Sequence, residues 1–124
     1  MPDELCTGAT KTVVVSTTPA RRRILDGLAL LRRSAWSGDI LVGTLMGGWD
    51  GWRGGMYRLA THPDFRRRGI ARMLVQAVEK ALQARGATRI TSLVVRREPG
   101  SPEFWRSVGY QPDSDIDRYA KVLD

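Results

Sequence analysis

The sequence predicts an α/β (α+β) fold, a mixed and mostly antiparallel sheet with packed helices, formed as one domain over residues 1–124. Three observations predict it. Two strand-like runs, "DILVGTLMGGW" (39–49) and "GGMYRLAT" (54–61), flank the turn-rich "DGWRG", the pattern of an antiparallel hairpin. The order strand, helix, strand from Gly55 to Arg96 predicts a right-handed crossover that pairs its two strands in parallel. A chain of 124 residues is long enough for one core of ordinary size.

Taken in order, "KTVVVS" (11–16) reads as a short strand. Thr18 and Pro19 can open a helix in which Ile24, Leu25, Leu28, Leu31, Ala35 and Trp36 recur at helical spacing up to Gly38. Gly27 weakens that helix, and a strand over "DGLALLRRSAW" is the alternative. After the hairpin, Ile70, Met73, Leu74, Ala77, Val78, Ala81 and Leu82 mark one face of a helix, with Gly86 placed for a left-handed cap. "TRITSLVVR" (88–96) reads as a buried strand. Ser101 then caps a short helix, "PEFWRSV", closed by Gly109, and "GYQP" and "DRYAKVL" read as two further strands.

Composition narrows the chemistry. One cysteine, Cys6, excludes an intrachain disulfide, and with His62 as the single histidine no protein-built metal cage is expected. No apolar run approaches the length of a membrane span. The first twenty residues lack a basic start followed by a long apolar core, so a cytoplasmic protein without a signal peptide is expected. The formal charge of +7 comes almost wholly from arginine. Its arginines fall in short separate groups (21–23, 32–33, 66–68, 96–97) with no basic tail, which argues against nucleic acid; a phosphate-rich small ligand explains the charge at least as well, and genome composition is the bland alternative.

The stretch "THPDFRRRGIARMLVQAVEKAL" (61–82) makes that ligand specific. A strand turning directly into a helix leaves the first helical N–H groups unpaired, with the positive end of the helix dipole behind them. Gly69 removes a Cβ from the approach, Ala71 keeps the first turn slim, and Arg66, Arg67 and Arg68 add charge at the rim. No Gly-Lys-Ser/Thr follows and no G-x-G-x-x-G is present, so neither a Walker loop nor a dinucleotide fold is indicated. A pyrophosphate fits.

"Arg66-Arg67-Arg68-Gly69-Ile70-Ala71" resembles the R/Q-x-x-G-x-G/A pyrophosphate loop of the GNAT superfamily of acetyl-CoA-dependent N-acetyltransferases. "YRLATHPDFRRRGIARML", "ITSLVVR" and "EFWRSVGY" resemble that family's fourth strand and third helix, fifth strand, and last helix with its turn, so the resemblance covers about 39–123. It implies a central splayed parallel strand pair, helices on both faces of the sheet, and acetyl-CoA as cosubstrate without a metal. Main-chain groups of Leu59, Ala60 and Thr61 would pair with the pantetheine arm, and Arg66 to Arg72, including Gly69, Ile70 and Ala71, would hold the pyrophosphate. An amine acceptor would attack the thioester directly, with the Leu59 amide steadying the oxyanion.

The departures from the family pattern concern acid and base. Val94 stands where many members carry a glutamate, Pro99 where an asparagine is usual, and Trp105, also adjoining the cofactor site, where a tyrosine protonates the departing thiolate. An indole N–H donates a hydrogen bond but is not a usable acid. The runner-up reading is therefore a catalytically weak acyl-CoA-binding or regulatory protein. Trp49, Trp52 and Tyr57 are candidates for an acceptor wall, with an aromatic hairpin cluster as the alternative for the two tryptophans. His62 before Pro63 reads first as a strand closer, and Asp50, Asp64, Glu98 and Glu103 as turn, rim or cap residues. Only about 38 residues precede the hairpin, room for one helix where the family has two, so either the acceptor site is unusually open or a second subunit completes it in a homodimer.

Overall fold

Sequential antiparallel pairing builds most of the sheet. The computed structural model describes residues 2–8, 11–17 and 29–124. In chain order these form β1 (Pro2–Gly8), β2 (Lys11–Thr17), β3 (Ala29–Ser37), β4 (Ile40–Trp49) and β5 (Gly54–Thr61), then a 3-10 turn (Pro63–Phe65), α1 (Ile70–Ala84), β6 (Ile90–Ser92) and α2 (Ser101–Ser107). The six strands lie in sequence order; β1 to β5 pair antiparallel, and β6 joins β5 in parallel, as the crossover through α1 requires. Two compact units result: Met1–Leu93, with the sheet and α1, and Val94–Asp124, with α2.

The hairpin forms as its turn residues dictate, with Trp49 opposite Gly54. Asp50 holds the turn: its carboxylate accepts from the N–H groups of Trp52 at 2.8 Å and Arg53 at 2.6 Å. The N–H of Arg53, then that of Trp52, holds the Asp50 carboxyl below its ordinary pKa, so this support is present at neutral pH and is lost as acid protonates the group.

Residues 29–37 resolve the ambiguity of the preceding segment in favour of a strand. Leu31 and Ala35 are buried while Arg32 and Trp36 are exposed, and β2 and β4 pair with β3 on its two sides. Long-range pairing decides where local spacing cannot. The start of the expected helix, 18–28, lies outside the described residues.

Four expectations are corrected. The strand expected over 88–96 is confined to Ile90–Ser92, and no strand forms over 110–124. The parallel pair consequently ends the described sheet instead of lying at its centre. The "DRYAKVL" pattern has no partner ladder, and Tyr119, Val122 and Leu123 are exposed; alternation alone does not make a strand without a neighbour to take its hydrogen bonds. Ser101 does not cap α2: Gly100, at φ 79°, is the cap, and no side chain bonds the first turn. β1 was not anticipated, because "PDELCTG" carries no clean alternation.

α1 lies across β3, β4 and β5 and buries Ile70, Met73, Leu74, Val75, Ala77, Val78 and Leu82. It comes close because β4 presents glycines. A Cβ on Gly43 would stand 2.9 Å from Leu74 Cδ1 and 3.0 Å from Ile70 Cγ2, and one on Gly47 would stand 2.6 Å from Val78 Cγ1. Residues 70, 74 and 78 form one row of the helix and seat along this stripe. Gly47→Val is expected to destabilise the protein by about 1–3 kcal/mol in urea unfolding, because the helix must lift, with Val78→Ala recovering part of the loss. Additive losses in the double variant would show that the contact is not the cause.

Candidate functional site

β5 does two things at once. It pairs with β6 only as far as Met56, opposite Ser92, and then continues alone to Thr61. On its other side the ladder with β4 jumps from Met46–Tyr57 to Thr44–Ala60, so Arg58 and Leu59 together oppose Leu45. That is a β-bulge, and Arg58 takes the left-handed conformation within it, at φ 56°. Beyond the bulge the His62 N–H donates to the Val42 carbonyl at 2.7 Å. Alternate residues of an antiparallel strand bond to the same neighbour, so Ala60 turns its backbone groups to β4 and Thr61 turns its own to the open edge. Leu59, inside the bulge, has no β4 partner. The result is a strand edge whose main-chain groups are available to an extended ligand.

The chain then passes through the 3-10 turn into α1. His62 caps that turn, its Nδ1 accepting from the Asp64 N–H at 3.1 Å, and its ring meets Phe65 edge to face at 5.4 Å. Phe65 is buried, and the Arg68 guanidinium lies over its ring at 5.1 Å. Arg67 and Gly69 both have positive φ, 63° and 78°. This pair of left-handed residues folds the backbone so that the amides before α1 turn to one side. The first bond of the helix runs from the Met73 N–H to the Gly69 carbonyl, and no side chain caps the end. The N–H groups of Ile70, Ala71 and Arg72 are thus left for an anion. Ile70 is buried as the anchor of the turn, whereas Arg66, Arg67, Arg68 and Arg72 are exposed. Nothing lies within 4 Å of a Cβ built on Gly69, so the approach is open.

The aromatic candidates are dispersed. Tyr57 lies back over Gly55 and Gly48: Cβ atoms on these would stand 2.5 Å from its Oη and 3.4 Å from its ring. Trp49 sits on the other face, within 4.0 Å of a Cβ on Gly86 at the end of α1. Trp52, 75% exposed, carries the Arg53 guanidinium over its ring at 4.3 Å. The structure does not gather these three into one wall. In the second unit, Trp105 is buried and meets Phe104 and Tyr110 edge to face at 5.4 and 5.1 Å. The bulge was not legible beforehand, because "YRLA" contains none of the glycine or asparagine that usually marks a left-handed residue.

A loop of this geometry, at the end of a strand opened by a bulge, stands within residues 11–110, which match the acetyltransferase (GNAT) family. The chain belongs to the GNAT family. Its match to an acetyltransferase of Pectobacterium atrosepticum is 53% identical over 58 residues, covering 47% of this chain and 40% of that protein. The GNAT chain thus spans less than half the length of that relative. Among solved structures, an aminoglycoside acetyltransferase from an uncultured soil metagenomic sample, in complex with sisomicin, has a TM-score of 0.67 at 17% identity, over 77% of this chain and 66% of that one. The aminoglycoside acetyltransferase AAC(6')-Iy, in complex with the bisubstrate analogue CoA-S-monomethyl-acetylneamine, has a TM-score of 0.63 at 18% identity, over 76% of this chain and 70% of that one. These two likenesses show the GNAT fold. No helix among the described residues is long and apolar enough to cross a membrane, and they contain no cluster of three potential metal ligands.

Proposed function

We propose that the protein transfers the acetyl group of acetyl-CoA to a primary amine of a small molecule or peptide. The observation that carries this is the conjunction of the uncapped α1 N-terminus with the bulged, half-unpaired β5. Together they fit the pyrophosphate and the pantetheine arm of a CoA molecule. The amides of Ile70, Ala71 and Arg72, with those of Arg67 to Gly69 in the preceding loop, would hold the pyrophosphate. The open edge at Leu59 and Thr61 would take the pantetheine amides as an added strand.

Bound acetyl-CoA supplies an activated thioester: the neutral amine nitrogen forms the new C–N bond as the C–S bond breaks, the sulfur departs as thiolate, and the amine's surplus proton passes to water. The Leu59 N–H, in the bulge, would donate to the thioester oxygen as negative charge develops there. Val94 and Trp105, at the positions of the family's glutamate and tyrosine, offer neither base nor acid. The acceptor must then arrive unprotonated, and thiolate is stable enough to leave unaided.

This predicts a pH dependence. For an amine of pKa about 10, log kcat/KM is expected to rise with slope one from about pH 6 to 9, because each unit multiplies the neutral fraction tenfold. A plateau near neutral pH would reveal a protein base. The test of the function itself is release of CoA thiol, read with a thiol reagent, from acetyl-CoA and a panel of amines. Thiol released only with amine supports transfer. Tight acetyl-CoA binding without release would instead support the acyl-CoA-binding reading, which the substitution at Trp105 favours.

A further inference from the structure

The sheet face opposite α1 carries a groove of about 320 Å³, the size that holds a small molecule. Its floor is Ser34, Thr44 and Met46, its apolar wall Trp36 and Leu41, and its polar rim Arg32 and Arg58. Register explains the arrangement. Arg32 stands opposite Met46 and Met46 opposite Tyr57, so the two arginines come from β3 and β5 with β4 between them. Two strand spacings are about 10 Å, a gap that two arginine side chains can close on a single group.

Two features separate these arginines from ordinary surface charge. Neither guanidinium makes an ion pair or hydrogen bond with any described residue, although both border the same groove. Arg58, moreover, is the left-handed residue of the bulge. An L side chain costs roughly 1–2 kcal/mol in that conformation, and the bulge re-aims it from the regular strand direction to the groove rim. The groove therefore adjoins the strand edge at which the acetyl group would be presented, since Thr44 on its floor stands opposite Ala60.

We infer that this groove binds the acceptor, and that the acceptor is a small amine that also bears a carboxylate and an apolar or aromatic body. The inference rests on the acetyl-transfer reading for the role of the amine. Planar guanidinium groups match a carboxylate in geometry and charge. Trp36, Leu41 and Met46 take the apolar body, and the free amine is left towards the bulge. A polycationic acceptor meets the positive charges of Arg32 and Arg58 here, on a chain of net charge +7. Its acceptor class thus differs from the aminoglycosides of the proteins with the same fold.

The test compares 4-(aminomethyl)benzoate with 4-(aminomethyl)benzamide, whose amines are nearly alike in basicity, and with kanamycin. In thiol release the acid is expected to exceed the amide in kcat/KM by roughly tenfold or more, the scale of one charge-assisted hydrogen bond, and kanamycin to be poorest. Arg32→Gln and Arg58→Gly should bring the acid-to-amide ratio near one with acetyl-CoA affinity unchanged. Arg58→Gly also relieves the left-handed strain, so it should fold at least as stably, which separates loss of the guanidinium from loss of structure. Binding of 4-(acetamidomethyl)benzoate against its amide, read by tryptophan fluorescence with Trp36→Phe as control, gives the same comparison without turnover. Acid-selective binding without turnover would overturn acetyl transfer and leave the carboxylate site standing. Equal use or binding of acid and amide, or a ratio that survives both arginine substitutions, would overturn the inference.

Discussion

Gly69→Asp is expected to weaken acetyl-CoA binding by at least a hundredfold while the protein stays folded. The fold should survive because nothing lies within 4 Å of a Cβ at this position, which leaves only the cost of the left-handed conformation at φ 78°. That cost is about 1–2 kcal/mol, and aspartate is among the residues that tolerate the region best. Ligand binding suffers more. A carboxylate roughly 5 Å from a phosphate charge is repelled by about 3 kcal/mol at an effective dielectric constant near 20, or over a hundredfold in affinity. Gly69→Ala supplies the control, adding the conformational cost without the charge. Calorimetry on both variants, at low and high salt, checks the prediction: the aspartate loss should shrink with salt and the alanine loss should not. Unchanged affinity in the aspartate variant would remove the α1 N-terminus as the phosphate site.

Trp105 gives the second large effect, and stability and catalysis should part company there. Trp105→Ala is expected to cost about 3–5 kcal/mol, because the indole is buried and meets both Phe104 and Tyr110 edge to face. Urea unfolding reads this directly. Trp105→Phe keeps an aromatic ring in the cluster and removes the indole N–H. If that N–H carries no proton to the leaving thiolate, kcat should stay within a few-fold of the parent. Trp105→Tyr tests the converse: a hydroxyl delivered to the sulfur would raise kcat by at most the roughly hundred- to ten-thousand-fold that a positioned acid supplies. A severe loss in the phenylalanine variant, with folding and acetyl-CoA affinity intact, would assign the indole a direct catalytic part.

Legibility followed locality. α1 could be read because its buried residues recur along fifteen positions, from Ile70 to Ala84, between glycines at 69 and 86. The hairpin could be read because "DGWRG" carries its own turn chemistry, realised in the Asp50 bonds. Leu31 and Ala35 show why β3 was ambiguous: a separation of four suits a helix turn and also two strand repeats, and only the neighbours β2 and β4 decide. At the C-terminus the opposite happened, since an alternating pattern found no edge to join. The turn proposed to bind the anion was legible because its amides, glycine and arginines are contiguous. The groove was not, because Arg32, Met46 and Arg58 become neighbours only through the registers of three strands and a bulge.

Gly43 has a consequence for how precisely a long ligand can be gripped. A Cβ there would touch Leu74 and Ile70 on α1 and would also stand 3.3 Å from the Ala60 carbonyl on β5. One point on β4 thus abuts both the helix whose start is proposed to meet the phosphates and the strand whose edge is proposed to meet the other arm. The interval between these proposed grips is gauged by Leu74 and Ile70 seated on a glycine on one side, and by the β4 backbone against that of β5 on the other. Such a gauge keeps its length as long as Leu74 and Ile70 are kept, and it leaves the walls of the proposed acceptor groove, on the opposite face of the sheet, free to diverge.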